Sequence, residues 1–532
     1  MKKTIKNSIV AILSLCTVLT AASCGGNGGG TIINDGKTVN VKVLKAGYGT
    51  TWLYQLKEKF ESLYKEQGYK INILTPDISL QANAALSEMR TGSSKTGVDL
   101  YFTQSVTLAN VLDQEYGVCA AELTDMYNLP AISFDGTEEK TKIKDKLKSY
   151  NTAMVAEGDE YYGYVWANSP CGMVVNTKAL ANYGLDIPNT TDEMFACFDA
   201  IYQTSSSTKV YPFAWGGNNS YGYSLYSLYP NVAQVLGKEE YGKFLSLQEG
   251  DTITENDYTY GYKMYENDWL YTALEILQRQ YNTVTSYPGS INDEHAKAHY
   301  NVITGKAVFT MDGDFFFNEV KTNYSKYLND VTFARTPVNS ALGDKLGIAD
   351  DVMSYIIDEY DAGKTKAEII SAVQTEKSVA VTEEQVQAVI EACSCYYDRM
   401  SHIAYIVNDS PNADIAKLFL RMAASDDFGK LFNDTANASS AYATVNNVDG
   451  EYAFVNGVAK VVNNPEAWAV SNMNSTGLRK KCGAFLFYPY STDIVLDLVS
   501  DNPSIGDVKT QIQNKTKENW SNLMAMAGYD VK

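Results

Sequence analysis

The chain has 532 residues, of which 45% are hydrophobic and 20% charged, enough for two or more ordinary globular domains. Its formal charge is -19, becoming -22 once the three leader lysines discussed below are discounted. Such an acidic chain argues against nucleic acid as a partner and against an electrostatic grip on anionic lipid, because phosphate binding needs clustered Lys and Arg.

Lys2, Lys3 and Lys6 precede an apolar run from Ile9 to Leu19. The run is interrupted by Ser14, Cys16 and Thr17, and it is shorter than the ~20 residues a spanning helix needs. This is the pattern of a cleaved export signal over residues 1–23. Ala21-Ala22-Ser23-Cys24 resembles a bacterial lipobox, with Ala21 where Leu is commoner. The resemblance implies cleavage before Cys24 and acylation of its thiol. The mature protein would then sit lipid-anchored on the extracytoplasmic face of the cell membrane. The segment 24–37 contains an unbroken Gly/Asn tract, Gly25 to Gly30, and reads as a flexible tether.

Val39, Val41 and Val43 alternate as in a strand. A turn, Ala46-Gly47-Tyr48-Gly49, leads into a helix from Trp52 to Glu66 with Leu53, Leu56, Phe60 and Leu63 on one face. A strand at Lys70–Leu74, a helix from Gln81 to Arg90 and a strand at Val98–Phe102 follow. Strand-helix alternation with short joins predicts parallel strands covered by helices, with ligands gathering at the carboxyl ends of the strands. Tyr161 to Asn176 mixes aromatics with turn residues. Thr191 is placed to cap a helix from Asp192 to Tyr202. Tyr211 to Pro230 is dense in Tyr, Gly and Asn, with Trp215, Asn218, Asn219, Tyr221 and Tyr223 expected in a Gly-rich loop. Helices are expected around Trp269–Tyr281 and His295–Ile303, then a strand from Ala307 to Met311. From Leu342 to Met400 the pattern is helical and charged. Thr382-Glu383-Glu384-Gln385 there is a capping box opening a helix to Tyr396. Strand Ile403–Val407 and helix Ala413–Ala424 resume the alternation.

Little points to chemistry. His295 and His299 share a helix face at a metal-ligand spacing, but no third ligand follows, so solvent-facing histidines are expected. Asp312-Gly313-Asp314 lacks the later ligands of a calcium loop. No nucleophile elbow, P-loop or dinucleotide fingerprint is found, and neither a metal nor a cofactor is expected. Cys119, Cys171, Cys197, Cys393, Cys395 and Cys482 form no CxxC pair. Buried free thiols are the expectation, with disulfides left open outside the cell.

Five segments in order resemble the family 1 extracellular solute-binding proteins of ABC importers, the maltose-binding-protein-like group. They are Tyr161 to Trp166 with Gly172 to Leu180; Tyr183-Gly184-Leu185 with Pro188 and Thr190 to Met194; Gly305 to Phe315; Ile403 to Val407 with Ser410 and Ala416 to Leu420; and Trp520 to Gly528. Phe315 stands where the family carries Trp, and the block from Leu342 to Met400 is absent from the family's common core. The resemblance implies a two-lobed α/β, periplasmic-binding-protein-like fold with lobes joined by crossover strands. Residues 38–165 and 332–432 would form lobe one, with 342–400 as a helical insertion. Residues 166–331 and 433–532 would form lobe two. It also implies a monomeric binder, not an enzyme, that holds an oligosaccharide in the cleft and passes it to permease subunits.

A sugar ring needs flat aromatics for its C–H faces and short polar groups for its hydroxyls, and carboxylates accept especially well. The expected cleft residues are Tyr48 and Trp52 at the first strand-to-helix turn, Thr103 and Ser105 after the third strand, and Trp166 and Ser169 on the first crossover. Trp215, Tyr221 and Tyr223 in the Gly-rich loop and Asp312, Asp314 and Phe315 after the "GKAV" strand complete the set. A secreted glycoside hydrolase, and a binder of peptides or polyamines, are the alternative readings.

Overall fold

The structure is a computed structural model and describes residues 31–44, 47–74, 82–113, 115–246, 261–444, 450–471, 487–490 and 494–526, apart from the side chains of 220–222 and 245–246. The leader 1–23, Cys24, residues 25–30 of the tether, Ala46, Gln81, Cys482 and Gly528 lie outside the described residues.

Two sheets organise the chain, as the two-lobed α/β expectation requires. The first is built from β1 (Thr38–Val43), β2 (Lys70–Ile73), β3 (Leu100–Phe102), β4 (Tyr164–Val165) and a late strand, Ile403–Ile406. Its order is β2, β1, β3, the late strand, β4. β1 pairs in parallel with both β2 and β3, Val41 opposite Ile73 and Leu100. The alternating Val39, Val41 and Val43 are buried, but so are Thr38 and Asn40 between them. The buried Asn40 backbone N–H donates to the Asp99 carboxylate at 2.8 Å, and its side-chain amide donates to Ile33 O at 2.9 Å.

The second sheet contains β5 (Pro170–Asn176), β6 (Tyr211–Phe213), β7 (Ala307–Gly313), β8 (Val331–Ala334), β9 (Cys395–Asp398), and a last strand, β11 (Trp468–Val470), with the Ile403–Ile406 strand numbered β10. β5 is central. It pairs antiparallel with β7 on one side, Met173 opposite Met311, and with β8 and then β9 on the other.

The expected division between lobes needs correction here. The stretch 332–432, with its helical block 342–400, was expected in lobe one. Instead β8 and β9 belong to the second sheet. The helices Asp350–Asp361, Lys366–Glu376 and Glu383–Cys393 build their own apolar cluster, including Val352, Ile356, Ile369, Val386 and Ile390, which reaches Val235 and Val338 of the second lobe. The capping box at Thr382 and Gln385 forms as expected, and its helix ends at Cys393 because the chain then enters β9. That strand was masked in the sequence by the helical pattern preceding it.

Two local expectations also shift. The cap of helix Thr191–Tyr202 is Thr190, whose hydroxyl accepts from Glu193 N, while Thr191 Oγ1 meets Ser340. The Gly-rich loop expected to hold Trp215 to Tyr223 gives way at Ser220 to a 17-residue helix, Ser220–Leu236, with Pro230 inside it. Pro230 lacks the N–H that would bond Tyr226 O. The buried Thr336 hydroxyl donates to that carbonyl instead, at 3.1 Å. Burial of Leu225, Tyr226, Leu228, Tyr229 and Val232 outweighs the local turn signals.

The chain crosses between sheets at residues 166–169 and again at 399–402. These crossings lie side by side: Arg399 N donates to Ser169 O, and Trp166 N to His402 O, both at 3.1 Å. Met400, with φ 47°, adopts the left-handed region uncommon for a residue with a side chain. Asp398 accepts from Met400 N at 2.8 Å and from Ser169 N at 3.2 Å, so one carboxylate ties both crossings together.

Candidate functional site

The expected cleft residues separate into three groups. The first is core. Trp52 and Trp166 stack on each other, centroids 5.4 Å apart and planes 17° apart, and both are buried. Trp166 Nε1 donates to Thr103 O and Trp52 Nε1 to Gly49 O, each at 3.0 Å. Thr103 Oγ1 donates to Ile403 O, so that side chain is committed to backbone. Ser105 is exposed, with φ 64°, and its N–H donates to Ser401 O. Trp52, Trp166 and Thr103 pack lobe one against the crossings, and Ser105 meets them through its backbone. They are not arranged as a ligand platform.

The second group forms a seam between the lobes. Tyr48, after β1, donates to Asp314 Oδ1 just beyond β7, at 2.7 Å. Its oxygen is also 2.8 Å from Ser169 Oγ on the first crossing, which in turn lies 2.7 Å from His402 Nδ1 on the second. Phe315 follows Asp314 and packs on Gly47, where a Cβ would come within 2.7 Å of Phe315 Cβ. The Arg399 guanidinium lies 5.5 Å above the Phe315 ring. Glycine at 47 therefore permits the first-lobe turn to approach the second lobe closely.

The electrostatics of the seam follow from burial. Burial lifts the Asp314 carboxyl well above the usual carboxylate range, against the opposing bond from Tyr48. Its second oxygen is buried without a hydrogen-bond partner among the described residues. Asp398 is pushed by burial up to about 6, even though the amides of Met400 and Ser169 favour its ionised form. Burial and the charge of Arg399 depress His402 to about 3, so its imidazole is neutral.

The third group lines a small cavity at the carboxyl ends of β6 and β7. Trp215, Tyr223, Tyr281, His295, His299 and Asp312 surround it. It has room for about one water molecule. Trp215 meets Tyr281 edge-on at 5.3 Å, and Tyr223 stacks on His295 at 5.8 Å and 18°. Trp215 Nε1 is buried and has no hydrogen-bond partner among the described residues. The histidines do not face solvent as expected. His299 is 3% exposed, with Nε2 ion-paired to Asp312 Oδ2 and Nδ1 3.3 Å from Glu319 Oε2. Burial alone would lower its pKa, but the Asp312 charge and hydrogen bond, with Glu319, raise it overall. The side chain of Tyr221 lies outside the described residues.

The seam and the cavity adjoin. Asp312 and Asp314 are two residues apart at the end of β7, and Asp314 N continues the ladder by donating to Pro170 O at 3.0 Å. Both carboxyls are buried there. Sequence reasoning missed Asp398, Arg399 and His402 because they sit where the helical pattern was taken to end. It noticed the His295–His299 spacing but had no means of pairing His299 with Asp312. No group of three or more His, Cys, Asp or Glu among the described residues could hold a metal ion.

The sequence matches no protein-family model and no curated protein. Solved structures do match across the chain. A protein studied for xylan utilization by the thermophilic bacterium Caldanaerobius polysaccharolyticus is 15% identical, with TM-score 0.55, covering 90% of this chain and 99% of its own. The bacterial solute receptor AcbH, described with an exclusive preference for β-D-galactopyranose, is 10% identical with TM-score 0.56, covering 90% and 99%. A chitin oligosaccharide binding protein is 12% identical with TM-score 0.56, covering 91% and 98%. At these identities the likeness is one of fold: this chain has the two-lobed architecture of such receptors over nearly its whole length.

Proposed function

We propose that the protein captures an oligosaccharide between its lobes and delivers it to the permease of an ABC importer, without chemistry. The observation that carries this reading is the seam. Tyr48 from one lobe meets Asp314 from the other beside the two crossings, so opening the lobes would expose a phenol and a carboxyl with unmet hydrogen-bonding capacity. Closure on ligand would be driven by binding energy about the paired crossings 166–169 and 399–402. Sugar-binding neighbours of the same fold support a saccharide over a peptide or polyamine. Acylated Cys24 would hold the monomeric binder at the extracytoplasmic membrane face beside its permease. No described helix is long and apolar enough to cross a membrane.

Thermal shift and calorimetry against neutral di- to tetrasaccharides test the reading. A ligand at 100 times its dissociation constant should add ~2.7 kcal/mol of stability. If peptides or polyamines raise the melting temperature and no saccharide does, the saccharide assignment fails. Steady release of reducing sugar, lost in Asp314→Asn, would point instead to a hydrolase.

A further inference from the structure

Away from the seam, the helical block forms one side of a groove of about 410 Å³ that the proposed capture does not use. The groove lies between helix Ala341–Leu346, the C-terminal end of helix Ser220–Leu236 and helix Glu383–Cys393. We infer that it docks a basic amphipathic helix of a partner protein. The inference is independent of what the cleft binds.

Helix Glu383–Cys393 has two faces. Val386, Val389 and Ile390 are buried in the block's apolar cluster. Glu384, Gln387, Ala388 and Glu391, at i, i+3, i+4 and i+7, share the opposite face and line the groove. Leu236, Leu342 and Leu346 line it from the other two helices. The chain's own cations at the groove are already engaged. Lys345 Nζ donates to Val235 O at 2.6 Å, at a helix end where aligned carbonyls draw an ammonium. Lys366 pairs with Glu383 at 3.7 Å. Glu384 and Glu391 have no basic partner among the described residues. One Glu391 oxygen accepts from Lys238 N at 2.7 Å, which holds the side chain in place and leaves its charge unmatched.

This spacing selects the occupant. Carboxylates seven residues apart on a helix stand about 10 Å apart along its axis. Lys or Arg at i and i+7 of a second helix repeat that interval, and apolar side chains at i+3 and i+4 then meet the leucines. A polyamine would satisfy the carboxylates but leave the apolar floor in water. Anionic lipid is repelled, because between Ala341 and Ser394 the chain carries eleven Asp and Glu against four Lys.

The test is fluorescence anisotropy on the full mature chain with a labelled Ala-rich peptide of about 15 residues, long enough to be helical. It carries Lys at i and i+7 and Leu at i+3 and i+4. One counterpart has Glu for Lys and another has Ser for Leu. The basic peptide should bind saturably, and each counterpart at least about tenfold more weakly. The double variant Glu384→Gln/Glu391→Gln should weaken the basic peptide about fivefold. Glu66→Gln/Glu376→Gln removes the same charge from exposed sites off the groove and should stay within about twofold. Hydrogen exchange on the unmutated chain should show the peptide slowing amides of 341–346 and 383–393. The inference is overturned if both double variants weaken alike, which is binding to net charge, or if either counterpart binds as tightly as the basic peptide. It is also overturned if spermidine displaces the peptide at equal concentration, if protection falls only elsewhere, or if the basic peptide does not bind. None of these outcomes touches the saccharide reading.

Discussion

The Tyr48 phenol donates a hydrogen bond to Asp314 Oδ1 at 2.7 Å across the two lobes. The bond joins the loop after β1 to the end of β7, 266 residues apart in sequence. On the function proposed above, a ligand entering between the lobes would replace this contact.

Tyr48→Phe takes the phenol away from Asp314 Oδ1, whose Oδ2 already has no hydrogen-bond partner among the described residues. The expected loss is about 1–3 kcal/mol in urea unfolding, the cost of an unmet buried polar group. Small-angle scattering of the unliganded variant should show a larger radius of gyration than wild type. Wild-type stability together with an unchanged radius would remove the latch.

Asp398 and His402 should oppose each other in pH dependence. Burial raises the folded-state pKa of Asp398 from 3.8 to about 6, so the folded state binds the extra proton and stability falls as pH rises through that window. His402 is depressed from 6.5 to about 3, so its contribution is present above 6.5 and is lost as pH falls toward 3. Relative to wild type, Asp398→Asn should gain on the order of 3 kcal/mol between pH 4 and 6. His402→Gln should gain as pH falls from 6.5 toward 3. Parallel unfolding curves for all three proteins across this range would contradict the assignments.

Trp52→Ala should act on stability and not on ligand contact. The ring is buried against Trp166, Phe102, Phe428 and Phe432. Truncation of such a ring costs about 3–5 kcal/mol. Below the lowered melting temperature, saccharide affinity should stay within about twofold of wild type, a difference of ~0.4 kcal/mol. A tenfold loss in a fully folded variant would return Trp52 to the cleft.

The five described cysteines are free and buried. Burial raises each thiol, Cys197 up to about 11, so little reactive thiolate is present at neutral pH. Native protein lacking residues 1–24 should show slow Ellman titration of Cys119, Cys171, Cys197, Cys393 and Cys395, and fast titration in urea. Rapid labelling of any of these in the native state, located by peptide mapping, would refute their burial.

The sequence by itself determined the fold class. Alternating strands such as Val39–Val43, the Thr382 capping box and the ordered segments around Gly172, Gly305 and Ile403 are local patterns, and local patterns encode element type and chain order. It also brought forward Tyr48, Ser169 and Asp314, which stand at chain positions where strands end and crossings begin. Only the tertiary structure decided which aromatics are core and which line a cavity. Trp52, Trp166 and Trp215 look alike along the chain, and what separates them is whether the indole N–H finds a carbonyl in the fold, as Trp52 does at Gly49 O. Thr103 O does this for Trp166, and Trp215 has no such partner. The same holds for His299, whose charge depends on Asp312 and Glu319 arriving from another strand and helix. Hydrogen-bond satisfaction in a buried site is a property of long-range pairs, and periodicity carries no record of it.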